Sequence, residues 1–244
     1  MSQAALYGVG GTPTLFRKLV DRSITEVTAK DLAGLITIGN YCFYGCLLTK
    51  LELPDTIISI GERALASISI TKTFPLFKCP PNCTAIGTYA FNYTFLKEAI
   101  LSDNFTNSSN GYGQFASCSR LKKMVLSANL TNIPNIFMSY DNLDHIICRR
   151  RANGSTINPP NISNVEHLGA SASTIFYTWL DSIQYYETYT NWITFAGQYA
   201  PLVETLAERD NLDTSAYTKC CVVGNEDYKL YEYSNNQWNE VTIL

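Results

Sequence analysis

Large apolar residues return along the first two thirds of the chain at nearly constant spacing. They lie in segments of one pattern, IGNYCFYGC (38–46), IGERALASI (60–68) and IGTYAFNYT (86–94). Fainter copies follow as GYGQFASCS (111–119) and IPNIFMSYD (133–141). The anchor residues, 22, 26, 24 and 22 positions apart, are Phe43, Leu65, Phe91, Phe115 and Phe137. Periods of 20 to 50 residues indicate stacked repeats, because one such unit cannot bury its own apolar face.

Each anchor is followed by two apolar residues that alternate with polar ones, which predicts one short strand per unit. We expect the inward pairs to be Leu51/Leu53, Phe74/Leu76, Ala99/Leu101, Met124/Leu126 and Ile146/Cys148. The Ile-Gly step before the anchor suits a tight turn, since glycine tolerates positive φ. A small residue directly before the anchor (Cys42, Ala64, Ala90) lets neighbouring coils approach. Stacked in register, the units predict a solenoid with one parallel sheet along one side.

These residues resemble the BspA-like leucine-rich repeat, whose pattern is I-G-x-x-A-F-x-x-C-x-x-L-x-x-I-x-I-P. The match is best from 38 to 54, recognisable from 86 to 101, and covers about residues 24–150. Insertions fall around FKCPPNC (77–83) and SDNFTNSSN (102–110). The resemblance implies the fold, and it implies a role among surface and interaction proteins.

The predicted fold class is α+β, dominated by a short β-solenoid with a cap at each end. Residues 1–22 form an arm or linker, and 23–150 form the solenoid, with 23–35 as its N-terminal cap around Val27 and Leu32. A polar segment with Pro159-Pro160 then leads into a C-terminal cap over 151–244.

Three elements are predicted in the C-terminal cap. Thr178 and Asp181 form a capping box that begins a helix, and Pro201 begins a second short helix through Arg209. The stretch 175–202 resembles the closing segment of these repeats, in which a helix and an Asn-Trp turn seal the last coil. Alternation over 228–244 around Asn235-Asn236 predicts a β-hairpin, which must pack on another part of the protein.

Composition narrows the class of protein. Apolar residues make up 46% of the 244 positions and charged residues 16%, which is too apolar for a disordered chain. The net charge is −3 and the longest basic run is Arg149–Arg151, so nucleic acid is not the expected partner. No stretch approaches the roughly 20 apolar residues of a membrane helix, and residues 1–18 do not read as a secretory signal.

The sequence offers no catalytic constellation, and we expect neither an enzyme nor a cofactor. Cys46 and Cys118 occupy an inward repeat position, which favours core packing. Cys79 and Cys83 lack the second Cys/His pair that a structural zinc needs, and a disulfide between them is an alternative in oxidising surroundings. His145 is predicted to point outward, and His167 lies in the cap. No nucleophile elbow, P-loop or dinucleotide motif occurs.

The outward face of the strands is the candidate binding surface. Its predicted residues are Lys50, Glu52, Thr73, Pro75, Glu98, Ile100, Lys123, Val125, His145 and Ile147. Exposed Ile100, Val125 and Ile147 would form an apolar stripe, and such patches usually mark interfaces. The alternative is that the C-terminal segment folds over the stripe.

Our first functional hypothesis is a bacteriophage virion protein, such as a fibre, decoration or tail component. It would contact other virion proteins or a protein or glycan of the host cell surface, as a homo-oligomer such as a trimer. The hypothesis depends on the repeats, on the missing export signal, and on a hairpin tail similar to those of phage structural proteins. The alternative is a bacterial or protist cell-surface adhesin, found outside the cell.

Overall fold

The computed structural model describes residues 6–9, 12–15, 25–68, 76–106, 113–130, 132–133, 143–149, 161–162, 168, 170–189, 191–195, 197–224 and 227–243. For 6–9, 12–15, 132 and 161–162 it describes the backbone alone. The fold is a β-solenoid of about seven turns, mostly sheet, as the repeat pattern predicts.

The strands of the described residues are short and run the length of the chain. In chain order they are β1 (Leu6–Val9), β2 (Thr12–Leu15), β3 (Glu26–Val27), β4 (Thr37–Ile38), β5 (Lys50–Leu51), β6 (Ser59–Ile60), β7 (Leu76–Lys78), β8 (Ala85–Ile86), β9 (Glu98–Ile100), β10 (Lys123–Leu126), β11 (Asn132–Ile133), β12 (Leu143–Cys148), β13 (Asn161–Ile162), β14 (Ala170–Trp179), β15 (Tyr199–Val203), β16 (Lys219–Val222), β17 (Lys229–Ser234) and β18 (Gln237–Val241). Two short helices, α1 (Ile183–Thr188) and α2 (Leu206–Asp210), lie between the later strands.

The strands form ladders on two sides of the solenoid rather than one. On the predicted side, β7, β9, β10, β12, β14, β15 and β16 pair in parallel, and β3 pairs with β5. We call this the first ladder. On the other side, in the second ladder, β4, β6 and β8 stack in parallel with Ile38, Ile60 and Ile86 in register. Each of these strands has only two residues, which is too short to produce a recognisable alternation in the sequence.

Part of the predicted arm belongs to the second ladder. Strands β1 and β2 form an antiparallel hairpin, and β2 pairs in parallel with β4. At the other end of the solenoid the first ladder continues through β14 to β16, beyond the predicted limit at residue 150. The division into three units at 22 and 150 stays a prediction.

The anchor residues pack together in one core. Phe43, Leu65, Phe91 and Phe115 are all buried within the same cluster of side chains. The rings of Phe91 and Phe115 stack with centroids 4.9 Å apart, as residues in equivalent places of successive coils do. Phe137 lies outside the described residues.

One predicted inward pair was wrong. Leu76 is 40% exposed, whereas its neighbour Phe77 is buried and pairs with Ala99. The extra residues of this coil therefore precede Leu76 and shift the inward positions to Phe77 and Cys79. Phe74 lies outside the described residues. The pairs Ala99/Leu101, Met124/Leu126 and Ile146/Cys148 are buried, as predicted.

The glycine of the Ile-Gly step has a role other than the predicted one. Gly61 and Gly87 are not among the residues with positive φ, but a Cβ on either would lie 2.5 to 2.6 Å from atoms of the preceding coil. The residues with positive φ come two positions after each glycine, at Tyr41, Arg63 and Tyr89. The glycines are therefore needed for close stacking of the coils, and their freedom at positive φ is not used.

The helix predicted to begin at Thr178 begins later, as a 3₁₀ turn over Leu180–Ser182 that leads into α1. Its predicted start was wrong, because Thr178 is buried within β14 between Cys148 and Pro201. Pairing with β12 and β15 satisfies this backbone, which outweighs the local capping motif. Pro201 likewise lies in a strand. The capping box that does form joins Thr205 and Glu208 at the start of α2.

Aromatic side chains close the end of the core, as the resemblance implied. Trp192 is fully buried, in a short 3₁₀ turn of residues Trp192–Phe195. Its ring meets those of Phe176 and Tyr186 edge to face, with centroids 5.8 and 4.9 Å apart. The predicted hairpin is confirmed: β17 and β18 pair around Asn235 and Asn236, and β17 extends the large sheet by pairing with β16.

Candidate interaction surface

An open groove of about 630 Å³ lies where β5, β7 and β9 end. We call it the strand-end groove. Its exposed lining residues combine both charges with apolar and amide side chains, and they include Glu52, Asp55, Leu76, Lys78, Pro81 and Asn104. Arg149 and Tyr228 also line this groove. Because the lining comes from successive coils and the C-terminal region, the groove exists only in the folded chain.

Arg149 fixes one side of the strand-end groove. Its Nη2 donates to the carbonyl oxygen of Leu101 at 2.7 Å, and its Nε donates to that of Leu126 at 3.0 Å. Nη2 is also 2.8 Å from Asp103 Oδ1. Nη1 donates to the Tyr228 hydroxyl at 2.9 Å. One guanidinium thus joins the ends of two strands to the C-terminal region, which only the planar fork of arginine can do.

The predicted apolar stripe is covered, so its predicted exposure was wrong. Ile100, Val125 and Ile147 are buried at 6%, 0% and 0% exposure, in one cluster with Tyr228 and other C-terminal residues. The cluster includes Tyr177, Ala200, Leu202, Cys221 and Leu230. The alternative held: the C-terminal segment folds over the stripe because it would otherwise leave this apolar area in water.

Lys123 was also predicted to be exposed and is instead 5% exposed. Its Nζ lies 2.6 Å from Glu98 Oε2 and donates to the Tyr228 carbonyl oxygen at 3.1 Å. Burying an ammonium group is costly unless it is paired and hydrogen-bonded, and both conditions are met here. Glu98, at the margin of the covered area, is half-buried.

His145 is half-buried beside Tyr177, whose hydroxyl lies 3.3 Å from its Nδ1. Burial lowers the pKa of His145 to about 4, and the charge of Lys123 nearby acts in the same direction. Asp144 opposes this shift of the pKa but does not cancel it. The imidazole is therefore neutral at physiological pH, which suits packing between strands.

Two predicted surface residues are exposed and close together. Lys50 and Glu52 form an ion pair of 2.8 Å, which raises the pKa of Lys50 and lowers that of Glu52. Glu52 also lines the strand-end groove. Thr73 and Pro75 lie outside the described residues. Of the predicted surface residues, Glu52 and Ile100 line the strand-end groove. Lys123 is buried beside the groove, where it contacts Tyr228.

The described part of the chain has neither a metal-binding cluster nor a membrane-spanning helix. Among the described residues, no group of three or more His, Cys, Asp or Glu side chains could hold a metal ion. No described helix is long and apolar enough to cross a membrane. All eight cysteines are buried, including Cys46 and Cys118 in the core as predicted.

The repeat region has a family match. Residues 36–158 match the family described as BspA type Leucine rich repeat region (6 copies). The matched segment covers half of the chain, which therefore belongs to the BspA-type leucine-rich repeat proteins. It is also shifted toward the C-terminus relative to the 24–150 that the repeats indicated. A comparison with curated proteins finds no match.

A solved structure shares the fold, and a second one aligns less closely. The pneumococcal vaccine antigen PcpA aligns with a TM-score of 0.55 at 19% identity, over 74% of this chain and 44% of that one. A leucine-rich repeat protein from Bacteroides ovatus aligns with a TM-score of 0.47, also at 19% identity, over 71% of this chain and 45% of that one. The chain thus spans less than half the length of either protein.

The groove residues that the sequence did not single out include Leu76, Asp103, Arg149 and Tyr228. Arg149 stood out only as part of a basic run, and Tyr228 only as the start of a hairpin. The position of Arg149 directly after the inward Cys148, at a strand end, is the one signal that could have singled it out.

Proposed function

We propose that this chain is a non-catalytic contact protein that binds a protein on another surface through the strand-end groove. The observation that carries the proposal is the exposed Leu76, an apolar side chain lying in the groove between charged neighbours such as Glu52 and Lys78. Protein interfaces combine apolar anchors with a polar rim in the same way. The groove is built on paired strands, so little ordering entropy opposes binding.

The proposal is supported by the family and by the fold shared with a vaccine antigen. Many weak contacts acting together would give useful avidity, which suits an adhesin-like role. Two settings fit this role. In the first, the chain is a fibre, decoration or tail component of a bacteriophage. In the second, supported by the PcpA likeness, it is exposed on a bacterial or protist cell.

Bead adhesion tests the contact role. Beads coated with the full chain are passed over a panel of bacterial and animal cells, and retention is counted. We expect retention on at least one cell type, at least a tenfold loss with Leu76→Glu, and no loss with Ile58→Glu. Ile58 is a matched control because it is 45% exposed, beside the second ladder. Retention that survives protease treatment of the cells but not periodate would indicate a glycan and contradict a protein partner.

The setting is tested separately. Mass spectrometry of purified phage particles should detect the chain if it is a virion component, and its absence from them would end that hypothesis. Surface labelling of intact cells should reach it if it is a cell-surface adhesin. Light scattering on the purified chain tests the expected homo-oligomer, and a monomer mass would contradict it.

A further inference from the structure

A five-residue loop with a cysteine at each end forms part of the strand-end groove. The loop Cys79-Pro80-Pro81-Asn82-Cys83 directly follows β7. The Cys83 amide donates to the Pro80 carbonyl oxygen at 2.9 Å, which closes a β-turn and brings the ends of the loop together. Pro80 and Pro81 line the groove, so the loop forms part of its lining.

Neighbouring coils hold this loop from both sides. Asn82 Nδ2 donates to the Asp55 carbonyl oxygen at 2.9 Å on the preceding coil. On the following coil, Asn104 Nδ2 donates to the Pro81 carbonyl oxygen at 2.8 Å. The Ser102 hydroxyl of the same coil donates to the Cys83 carbonyl oxygen at 2.8 Å. The loop backbone is therefore fixed in the conformation that brings the two thiols together.

The two thiols are in contact but differ in access. A side-chain interaction with Cys83 lowers the pKa of Cys79, and burial opposes this shift without cancelling it. The Ser102 amide and hydroxyl also lower the pKa of Cys79. The Cys83 thiol donates to the Ala85 carbonyl oxygen at 3.4 Å. Cys79 lines the groove and is 4% exposed, whereas Cys83 is not among the lining residues and is 0% exposed. A thiol with a lowered pKa at the wall of a groove, beside a second thiol with no access to solvent, is the arrangement of an attacking and a resolving cysteine.

We infer that Cys79 and Cys83 are an intrachain disulfide site, oxidised by a low-molecular-weight disulfide that enters the strand-end groove. The Cys79 thiolate attacks one sulfur of the oxidant, whose S–S bond breaks and releases one thiol. Cys83 then loses its proton and attacks the Cys79 sulfur, which releases the second thiol. Two protein thiols are oxidised, one oxidant disulfide is reduced, and the two protons pass to the released thiols.

A second pair of cysteines with the same spacing provides an internal control. Cys42 and Cys46 are also four positions apart, but both are 1% exposed in the hydrophobic core. Burial raises the pKa of Cys42, and neither residue is among those that line the groove. Spacing alone would make both pairs bridge, whereas the proposed chemistry oxidises only Cys79 and Cys83.

The test is incubation of the folded full chain with oxidised glutathione, removal of the glutathione, alkylation in denaturant so that every free thiol reacts, and tryptic digestion without reduction. Cleavage after Lys78 and Lys97 gives one peptide with Cys79 and Cys83, and cleavage after Lys30 and Lys50 gives one with Cys42 and Cys46. We expect the first peptide to lack both alkyl groups and to be about 2 Da lighter than its dithiol form. The second should remain fully alkylated.

Variants test which thiol attacks. Cys79→Ala should leave Cys83 alkylated, and Cys83→Ala should trap glutathione on Cys79 as a mixed disulfide. Circular dichroism checks that both variants are folded, and the wild-type digest decides the main point if either is not. The proposal is overturned if peptide 79–97 stays fully alkylated, or if both cysteine pairs bridge at equal rates. A glutathione adduct on Cys83 in Cys79→Ala would overturn the assignment of the attacking thiol.

Discussion

At the scale of single residues, the tight turn before each anchor needs a residue with positive φ and a residue without a side chain. The sequence pattern assigned both properties to the glycine, but two different residues provide them. Tyr41, Arg63 and Tyr89 have positive φ, which costs an ordinary residue about 1–2 kcal/mol. Hydrogen bonds between coils offset this cost, as when the Tyr41 amide donates to the Glu62 carbonyl oxygen at 2.8 Å. Glycine is kept for Gly61 and Gly87, where a side chain has no room. The Ile-Gly motif predicted the tight turn correctly. It gave the wrong reason for the glycine, because a sequence does not show the distance between coils.

Replacing Gly87 should therefore destabilise the solenoid through steric overlap. A Cβ at Gly87 would lie 2.6 Å from the Glu62 nitrogen and from the Gly61 carbonyl carbon, which are backbone atoms that cannot turn aside. We expect Gly87→Ala to lower the free energy of unfolding by about 3 kcal/mol, at the upper end for overpacking. Urea denaturation followed by circular dichroism measures the change.

Gly34→Ala is the matched control for this substitution. Gly34 has φ +80° with nothing within 4 Å of an added Cβ, so only backbone strain opposes the alanine. Its cost should be about 1 kcal/mol. Equal losses at Gly34 and Gly87 would show that close stacking of the coils is not what requires glycine.

At the scale of elements, local sequence motifs predicted correctly the element whose contacts are local, which is the C-terminal hairpin. Asn235 and Asn236 both adopt positive φ in the two-residue turn of the hairpin, which their sequence had indicated. The capping motif at Thr178 failed because β14 finds parallel partners on both sides, and no local signal reports those partners. The alternation of β12 predicted correctly that His145 lies on the outer side, but it could not predict that Tyr177 packs against it.

The buried position of His145 makes the stability of the sheet dependent on pH. Its pKa is about 4 in the folded protein against 6.5 ordinarily, so the unfolded chain binds the proton more readily. The free energy of unfolding should fall as the pH drops from about 6.5 to 4, by about 2 to 3 kcal/mol for this group, and then level off. Above pH 7 the histidine contributes no pH dependence.

The comparison of wild type with His145→Gln isolates this effect, since other titrating groups are common to both proteins. Urea denaturation at several pH values between 4 and 8 should give curves that diverge toward neutral pH. A constant difference in the free energy of unfolding across that range would contradict a neutral, buried imidazole.

At the scale of the whole molecule, the C-terminal region completes what the repeats leave open. Lys123 meets the Tyr228 carbonyl across 105 positions of sequence, and Arg149 meets the Tyr228 hydroxyl across 79. The repeats predicted the core and the inward positions, because each contact there joins neighbouring units. They could not predict the strand-end groove, because one side of it forms only when Tyr228 returns to the outer side of the solenoid.

Removing this cover should expose the apolar stripe without unfolding the core. The main core cluster contains no residue beyond 225, whereas the cluster of Ile100, Val125 and Ile147 includes Tyr228 and Leu230. Deletion of residues 225–244 should therefore keep the far-ultraviolet circular dichroism of a sheet protein. It should also increase the binding of an apolar dye and cause association that light scattering detects, because a contiguous apolar patch meets water.

Trp238→Ala is the control for this deletion, since it loosens the hairpin at Tyr233 while Tyr228 and Leu230 remain. If the truncated chain binds no more dye than this control and keeps the wild-type mass, the C-terminal segment is not what keeps the stripe from water.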